Sequence, residues 1–339
     1  MRTQTFLTAC AAVAVAAVSV AAQSSDGFRF RSGVELVNVT ATVTDEAGRF
    51  VGGLQKDDFT IYDDNERQEI SHFSSERVPV SLGILLDASG SMTSDKMTAA
   101  RAAIDRFIYD LLGSEDELFF MEFNDRPRLT QQWTSDRRLI SRAVSRVHAQ
   151  GGTAMYDAVA DALPLASNGQ HRKKAILVIS DGNDANSSIS VGELRQQIRE
   201  SEVLVYALGV DGTSRSSSGG GSIITPPPTL PIPFPFPFPG GRRPVFPQIS
   251  GGVYTRGNME RVNAGALRQM TDETGGRTEI VRGFDGLDAA TSRLADEFSK
   301  QYYMAYASPG KKDGRWHSIR VDVRDRRLNV RARRGYVAS

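Results

Sequence analysis

The sequence predicts an α/β fold: a doubly wound, mostly parallel sheet with helices on both faces, joined to a β-sandwich made from the N- and C-terminal strands. Three observations carry this expectation. Between residues 78 and 300, near-continuous apolar runs alternate with segments of helical period. At both ends of the chain, apolar and polar residues alternate with period two. Neither end alone offers enough strands to cover an apolar face, so the two ends are expected to meet.

The elements follow in order. Arg2 gives a short positive start, Phe6 to Ala22 is apolar, and Val20-Ala21-Ala22 offers small residues before Gln23. This is the pattern of a signal peptide spanning residues 1–22. Leu7-Thr8-Ala9-Cys10 has the composition of a lipoprotein box, but the apolar core follows Cys10 instead of preceding it. Cys10 is the single cysteine, so a chain cleaved after Ala22 has no disulfide or thiol chemistry. No later stretch is apolar enough to predict a membrane span.

Residues 28–77 carry strand signals. Val37, Val39, Ala41 and Val43 alternate with polar partners. Phe59-Thr60-Ile61-Tyr62 and Ile70-Ser71-His72-Phe73 flank Asp63-Asp64-Asn65-Glu66 and are expected to form a hairpin. From Val78 the pattern changes. Val80 to Leu86, Leu118 to Phe123, Ala175 to Ile179 and Val203 to Val210 read as strands buried on both faces. Helices are expected at 96–112, 136–147, 154–166, 191–201, 263–274 and 286–300, with one more strand near 277–281. Residues 212–256 are rich in Gly, Ser and Pro and include Pro231 to Pro239, where Pro alternates with Ile and Phe. Proline fixes φ and lacks an N–H, so this is an insertion within one loop of the 78–300 domain. Residues 301–339 return to strands, through Ile319, Val321 and Val323 and then Leu328, Val330 and Ala332. Lys and Arg total 41 against 40 Asp and Glu. No global field therefore favours nucleic acid or an anionic membrane. The arginines between Arg324 and Arg334 read as the wet face or guarded edge of a strand.

The chemistry gathers on three loops. Asp87-Ala88-Ser89-Gly90-Ser91 follows the first buried strand, Gly151-Gly152-Thr153 precedes a helix, and Asp181-Gly182 follows the strand at 175–179. In a parallel sheet these loops share the carboxyl edge, where open α/β sheets bind ligands. Two carboxylates and three hydroxyls suit a hard cation. They roughly neutralise a divalent ion and leave a position for an anionic oxygen from elsewhere. Asp125 reads as a plain turn residue, with support of the metal site from behind its ligands as the alternative, and Asp184 reads as a solvated loop residue. His72, His148, His171 and His317 lack zinc-ligand spacing. Ser89 and Ser91 do not lie in a nucleophile elbow.

Asp-x-Ser-x-Ser after an apolar strand, then Gly-Gly-Thr, then Ile-Ser-Asp-Gly, resembles the metal-ion-dependent adhesion site of the von Willebrand factor type A fold. The resemblance implies metal ligation by Ser89, Ser91 and Thr153 directly, and by Asp87 and Asp181 directly or through water. It implies Mg²⁺, or Mn²⁺ or Ca²⁺, and a protein partner that offers a Glu or Asp. Asp57-Asp58-Phe59, the run from Gly151 to Ala158, Thr274-Gly275-Gly276 and Gln301-Tyr302-Tyr303 are similar to segments of a secreted VWFA-related family known mainly from acidobacteria. The expectation is an exported, non-enzymatic adhesion or assembly module, periplasmic, cell-surface or secreted. The alternatives are a structural envelope protein that makes contact through the Pro-Phe loop, and a metal-dependent hydrolase.

Overall fold

The structure is a computed structural model that describes residues 36–211, 262–282, 286–310 and 313–338. The expected signal segment and the 212–256 insertion lie outside the described residues. The described chain opens on β1 (Leu36–Thr44), in which Val37, Val39, Ala41 and Val43 are buried in alternation. Next come β2 (Phe59–Asp63), β3 (Glu66–Gln68) and β4 (Ile70–Ser74).

The expected hairpin between 59–62 and 70–73 is not formed. β2 pairs with β3 instead, through a tight turn in which Asp64 and Asn65 both hold positive φ (48° and 68°). Those dihedrals are what a two-residue hairpin requires, and Asp and Asn tolerate them better than most residues. The chain then crosses at Glu69, so that β4 joins the opposite sheet.

The α/β part begins with β5 (Val80–Asp87), every residue of which is buried. It continues through α1 (Ser94–Arg106), a π turn at Phe107–Leu111, β6 (Glu117–Phe123), β7 (Pro127–Thr134), α2 (Arg137–Ser145) and α3 (Met155–Ser167). β8 (Lys173–Ser180), α4 (Val191–Glu200), β9 (Leu204–Asp211), α5 (Ala264–Thr271), β10 (Thr278–Arg282) and α6 (Leu287–Lys300) follow. The sheet order is β10-β9-β8-β5-β6-β7, parallel except for β7. Leu82, Ile84 and Leu86 meet Ile104, Leu294 and Phe298 on one face, while Leu85, Phe119 and Met121 meet Val159, Leu163 and Leu267 on the other. Burial on both faces explains why these strands read as unbroken apolar runs. β7 was not legible because, as an edge strand, it reads polar.

β11 (Tyr302–Ala307), β12 (Trp316–Val323), β13 (Asn329–Ala332) and β14 (Gly335–Val337) complete the chain. Two four-stranded sheets result, β13-β1-β11-β4 and β14-β12-β2-β3, each combining strands from both ends of the chain. Val39, Ile61, Met304, Tyr306 and Ile319 share their core. The sandwich built from N- and C-terminal strands is thus present. The arginine-rich tail ties it to the α/β part. Arg331 pairs with the fully buried Glu297 of α6, and Arg333 reaches Glu202 at 3.2 Å.

His317 on β12 shows how the hairpin is secured. Its ring nitrogens lie 2.8 Å from Asp64 Oδ2 and 3.1 Å from Asp313 Oδ1. A neutral imidazole donates from only one nitrogen, so two carboxylate partners favour the imidazolium. The hydrogen bond to Asp313, then the bond to Asp64 and the charges of both, raise the His317 pKa above 6.5 against the opposing effect of burial. A folded-state pKa above the unfolded value gives stability that is complete below about pH 6.5 and is lost as pH rises through the folded pKa. His317→Gln is therefore expected to cost about 1–2 kcal/mol near pH 6 and to flatten this alkaline loss. Urea melts of both proteins near pH 6 and pH 9 check it. Equal pH slopes would contradict the assignment.

Candidate functional site

Within the parallel sheet the chain runs outward from β5 to β6 and then returns to β8 on the other side, so β5 and β8 flank the point where strand order reverses. A crevice opens outside the carboxyl ends at such a point. Asp87 is the last residue of β5 and Asp181 directly follows β8. Both are fully buried, Ser89 and Thr153 are nearly so, and Ser91 is half-buried.

Asp87 uses both oxygens locally. Oδ1 accepts the Ser89 backbone N–H at 2.8 Å, and Oδ2 accepts the Ser180 hydroxyl at 2.6 Å. Burial raises its pKa to about 6, with a smaller contribution from the charge of Asp181, while the hydrogen bonds from Ser180 and Ser89 work in the other direction. Ser89 Oγ and Ser91 Oγ are 2.9 Å apart, so two hydroxyl oxygens face one small volume. Asp181 Oδ1 lies 3.3 Å from both the backbone and side-chain nitrogens of Asn183.

The loop that carries Thr153 is knitted to its neighbours. Gln150 N–H donates to Ala88 O at 2.7 Å, Gly90 N–H to Gly151 O at 3.0 Å, and Ala154 N–H to Asn124 O at 2.6 Å. Gly151 holds φ +76°, which explains a glycine there. Asp125 is not a plain turn residue. Its Oδ1 accepts the Gly152 N–H at 2.8 Å and so braces the Thr153 loop from β6's end. Asp184 is not a solvated loop residue either. Its Oδ1 accepts the N–H groups of Met155 (2.8 Å) and Tyr156 (3.2 Å) and the Ser187 hydroxyl (2.6 Å). It satisfies the first turn of α3 from a distant loop, and no local spacing signals that.

Sequence reasoning also missed Lys96. Its ammonium lies 3.0 Å from Asp181 Oδ2, with only 3% of the side chain exposed. A lysine in the first turn of a helix ordinarily reads as solvated.

Two buried carboxylates, a close pair of hydroxyls and one half-open side form an oxygen-only donor set, which fits a hard divalent cation better than a soft one. Among the described residues, Asp63, Asp64 and His317 form another group with metal-ligand atoms close together. Their atoms are already engaged: Asp63 Oδ2 accepts from Tyr306 (2.8 Å) and Tyr336 (2.9 Å), and His317 is held between Asp64 and Asp313. That group holds the sandwich together.

The family model described as von Willebrand factor type A domain matches residues 82–183. The chain is 29% identical over 111 residues to the uncharacterised protein sll0103 of Synechocystis sp., covering 32% of this chain and 26% of that protein. It is 24% identical over 133 residues to an inter-alpha-trypsin inhibitor heavy chain of Sus scrofa, covering 36% of this chain and 14% of that protein. The match thus spans well under two thirds of either relative. A von Willebrand factor type A structure from Catenulispora acidiphila is similar at 15% identity and a TM-score of 0.46, covering 87% of this chain and 72% of that one. No helix among the described residues is long and apolar enough to cross a membrane.

Proposed function

We propose that this chain is an exported binding module whose divalent-metal site captures an acidic side chain of a protein partner, a reading supported by the match of residues 82–183 to the von Willebrand factor type A domain model. The convergence of Asp87, Ser89, Ser91 and Asp181 at the reversal point of the sheet carries this proposal. Ser89, Ser91 and Thr153 would hold Mg²⁺, or Mn²⁺ or Ca²⁺, through their hydroxyls, with Asp87 and Asp181 acting directly or through water. Bound there, the ion supplies an electrophilic position for a carboxylate oxygen. The chain's own residues set its orientation: Ser180 and the Ser89 N–H fix the Asp87 carboxylate, and Asp125 fixes the Thr153 loop. Export is supported by Arg2, the apolar run to Ala22 and the small residues that end it. The role proposed is adhesion or assembly rather than catalysis.

Titration calorimetry with Mg²⁺ and Mn²⁺ tests this, and one ion per chain is expected. No detectable heat with either ion at millimolar concentration would remove the mechanism. Asp125→Ala is expected to weaken divalent binding by roughly 10–100-fold, the usual cost of losing a residue that orients ligands. Its melting should shift little, because Asp125 is exposed. Unchanged affinity would show that the Thr153 loop does not need the brace.

A further inference from the structure

Lys96 sits in the first turn of α1, where the helix dipole disfavours a cation, and is nevertheless 3% exposed. Burying an ammonium is costly unless a specific partner receives it. That partner is Asp181 Oδ2 at 3.0 Å, while Asp181 Oδ1 faces Asn183. One of the two carboxylates counted for the metal is therefore already matched by a cation tethered to the protein. With Asp87, Asp181 and Lys96 all ionised, the site carries a single negative charge before any ion arrives.

We infer that Lys96 is a built-in counter-cation that makes divalent binding weak by itself and conditional on an anionic carboxylate from the partner. This rests on the metal reading above. A divalent ion placed beside Asp87, Asp181 and Lys96 leaves a net positive charge, whereas without Lys96 the site would be neutral. An arriving carboxylate removes that excess, so metal and carboxylate each strengthen the binding of the other. The module would then hold the ion only weakly until an acidic partner is present as well.

The test uses the full chain with Mn²⁺ as probe, in chloride buffer and again with millimolar acetate standing in for the partner carboxylate. The parent chain is expected to bind Mn²⁺ weakly in chloride and about fivefold more tightly with acetate. Lys96→Met is expected to bind Mn²⁺ roughly tenfold more tightly than the parent in chloride, because a nearby positive charge is gone, and to respond little to acetate. Lys96→Arg keeps the charge and should behave like the parent chain, which separates charge from packing. A folded Lys96→Met that binds no more tightly than a metal-binding parent overturns the inference and leaves the metal site standing. If neither chain binds Mn²⁺, the metal reading fails and takes this inference with it. If only Lys96→Met binds, in chloride and in acetate alike, loading of the native chain by metal and carboxylate together is overturned.

Discussion

Asp87→Asn is expected to fold at least as stably as the parent chain without metal and to gain nothing when Mg²⁺ is added. Asp87 is fully buried, and burial raises its pKa to about 6. A raised carboxyl pKa means that the ionised form is disfavoured in the fold, so stability is lost as pH rises through the folded value. Asparagine removes that charge and keeps an oxygen for the Ser89 N–H. The gain at neutral pH is expected to be about 1–3 kcal/mol. The parent chain should instead gain about 2.7 kcal/mol when the metal reaches a hundred times its dissociation constant. Thermal melts with and without Mg²⁺ check both halves. A metal-dependent rise that survives in Asp87→Asn would show that the ion binds elsewhere, with the Asp63, Asp64 and His317 group as the first alternative.

Gly276→Ala should be the most damaging single methyl in the described chain, destabilising it by about 3 kcal/mol or more. A Cβ at Gly276 would overlap the backbone carbonyl of Val205 on the buried strand β9, and the backbone of a strand paired on both sides has little room to give way. The surrounding bonds make the position rigid. Thr274 Oγ1 accepts the Val205 N–H at 3.0 Å and the Gly276 N–H at 3.2 Å. Next to it, Gly275 holds φ +79° against the Ala332 backbone of β13, and its carbonyl accepts from Arg331 Nε at 2.9 Å. Thr274-Gly275-Gly276 is thus the point where the parallel sheet meets the sandwich. Gly52→Ala, which meets nothing within 4 Å, is the matched control and should change stability by less than about 0.5 kcal/mol. Urea melts of the two variants compare them. A loss under about 1 kcal/mol at Gly276 would mean that β9 can shift to accept the methyl.

How much was legible depended on whether the signal was local. β5, β6, β8 and β9 announced themselves as apolar runs because helices cover both of their faces. Asp87, Ser89, Ser91 and Asp181 could be gathered from sequence because a parallel sheet places its strand-to-helix loops on one edge, while Thr153, in the loop between α2 and α3, was gathered through the Gly-Gly-Thr motif. The structure puts all five at the carboxyl edge and joins the Thr153 loop to Ala88 and Gly90 through backbone hydrogen bonds. What stayed hidden was set by distant partners. Asp184 caps α3 across about thirty residues, and His317 meets Asp64 across 253 residues. Lys96 was not singled out because its partner, Asp181, lies three strands later in sequence. The hairpin's second strand was misread because β3 (Glu66–Gln68) is short and polar, and the apolar residues after it belong to β4 in the opposite sheet. The residues that meet at the carboxyl edge were thus readable, whereas the lysine paired with Asp181 needed the fold.

The most direct test is an anomalous difference map from crystals of the full chain grown with Mn²⁺ and acetate. The expected result is one strong peak among the Ser89, Ser91 and Thr153 hydroxyls, with acetate on its open side and Lys96 still beside Asp181. A peak only at Asp63, Asp64 and His317, or no protein-bound peak at all, would contradict the account.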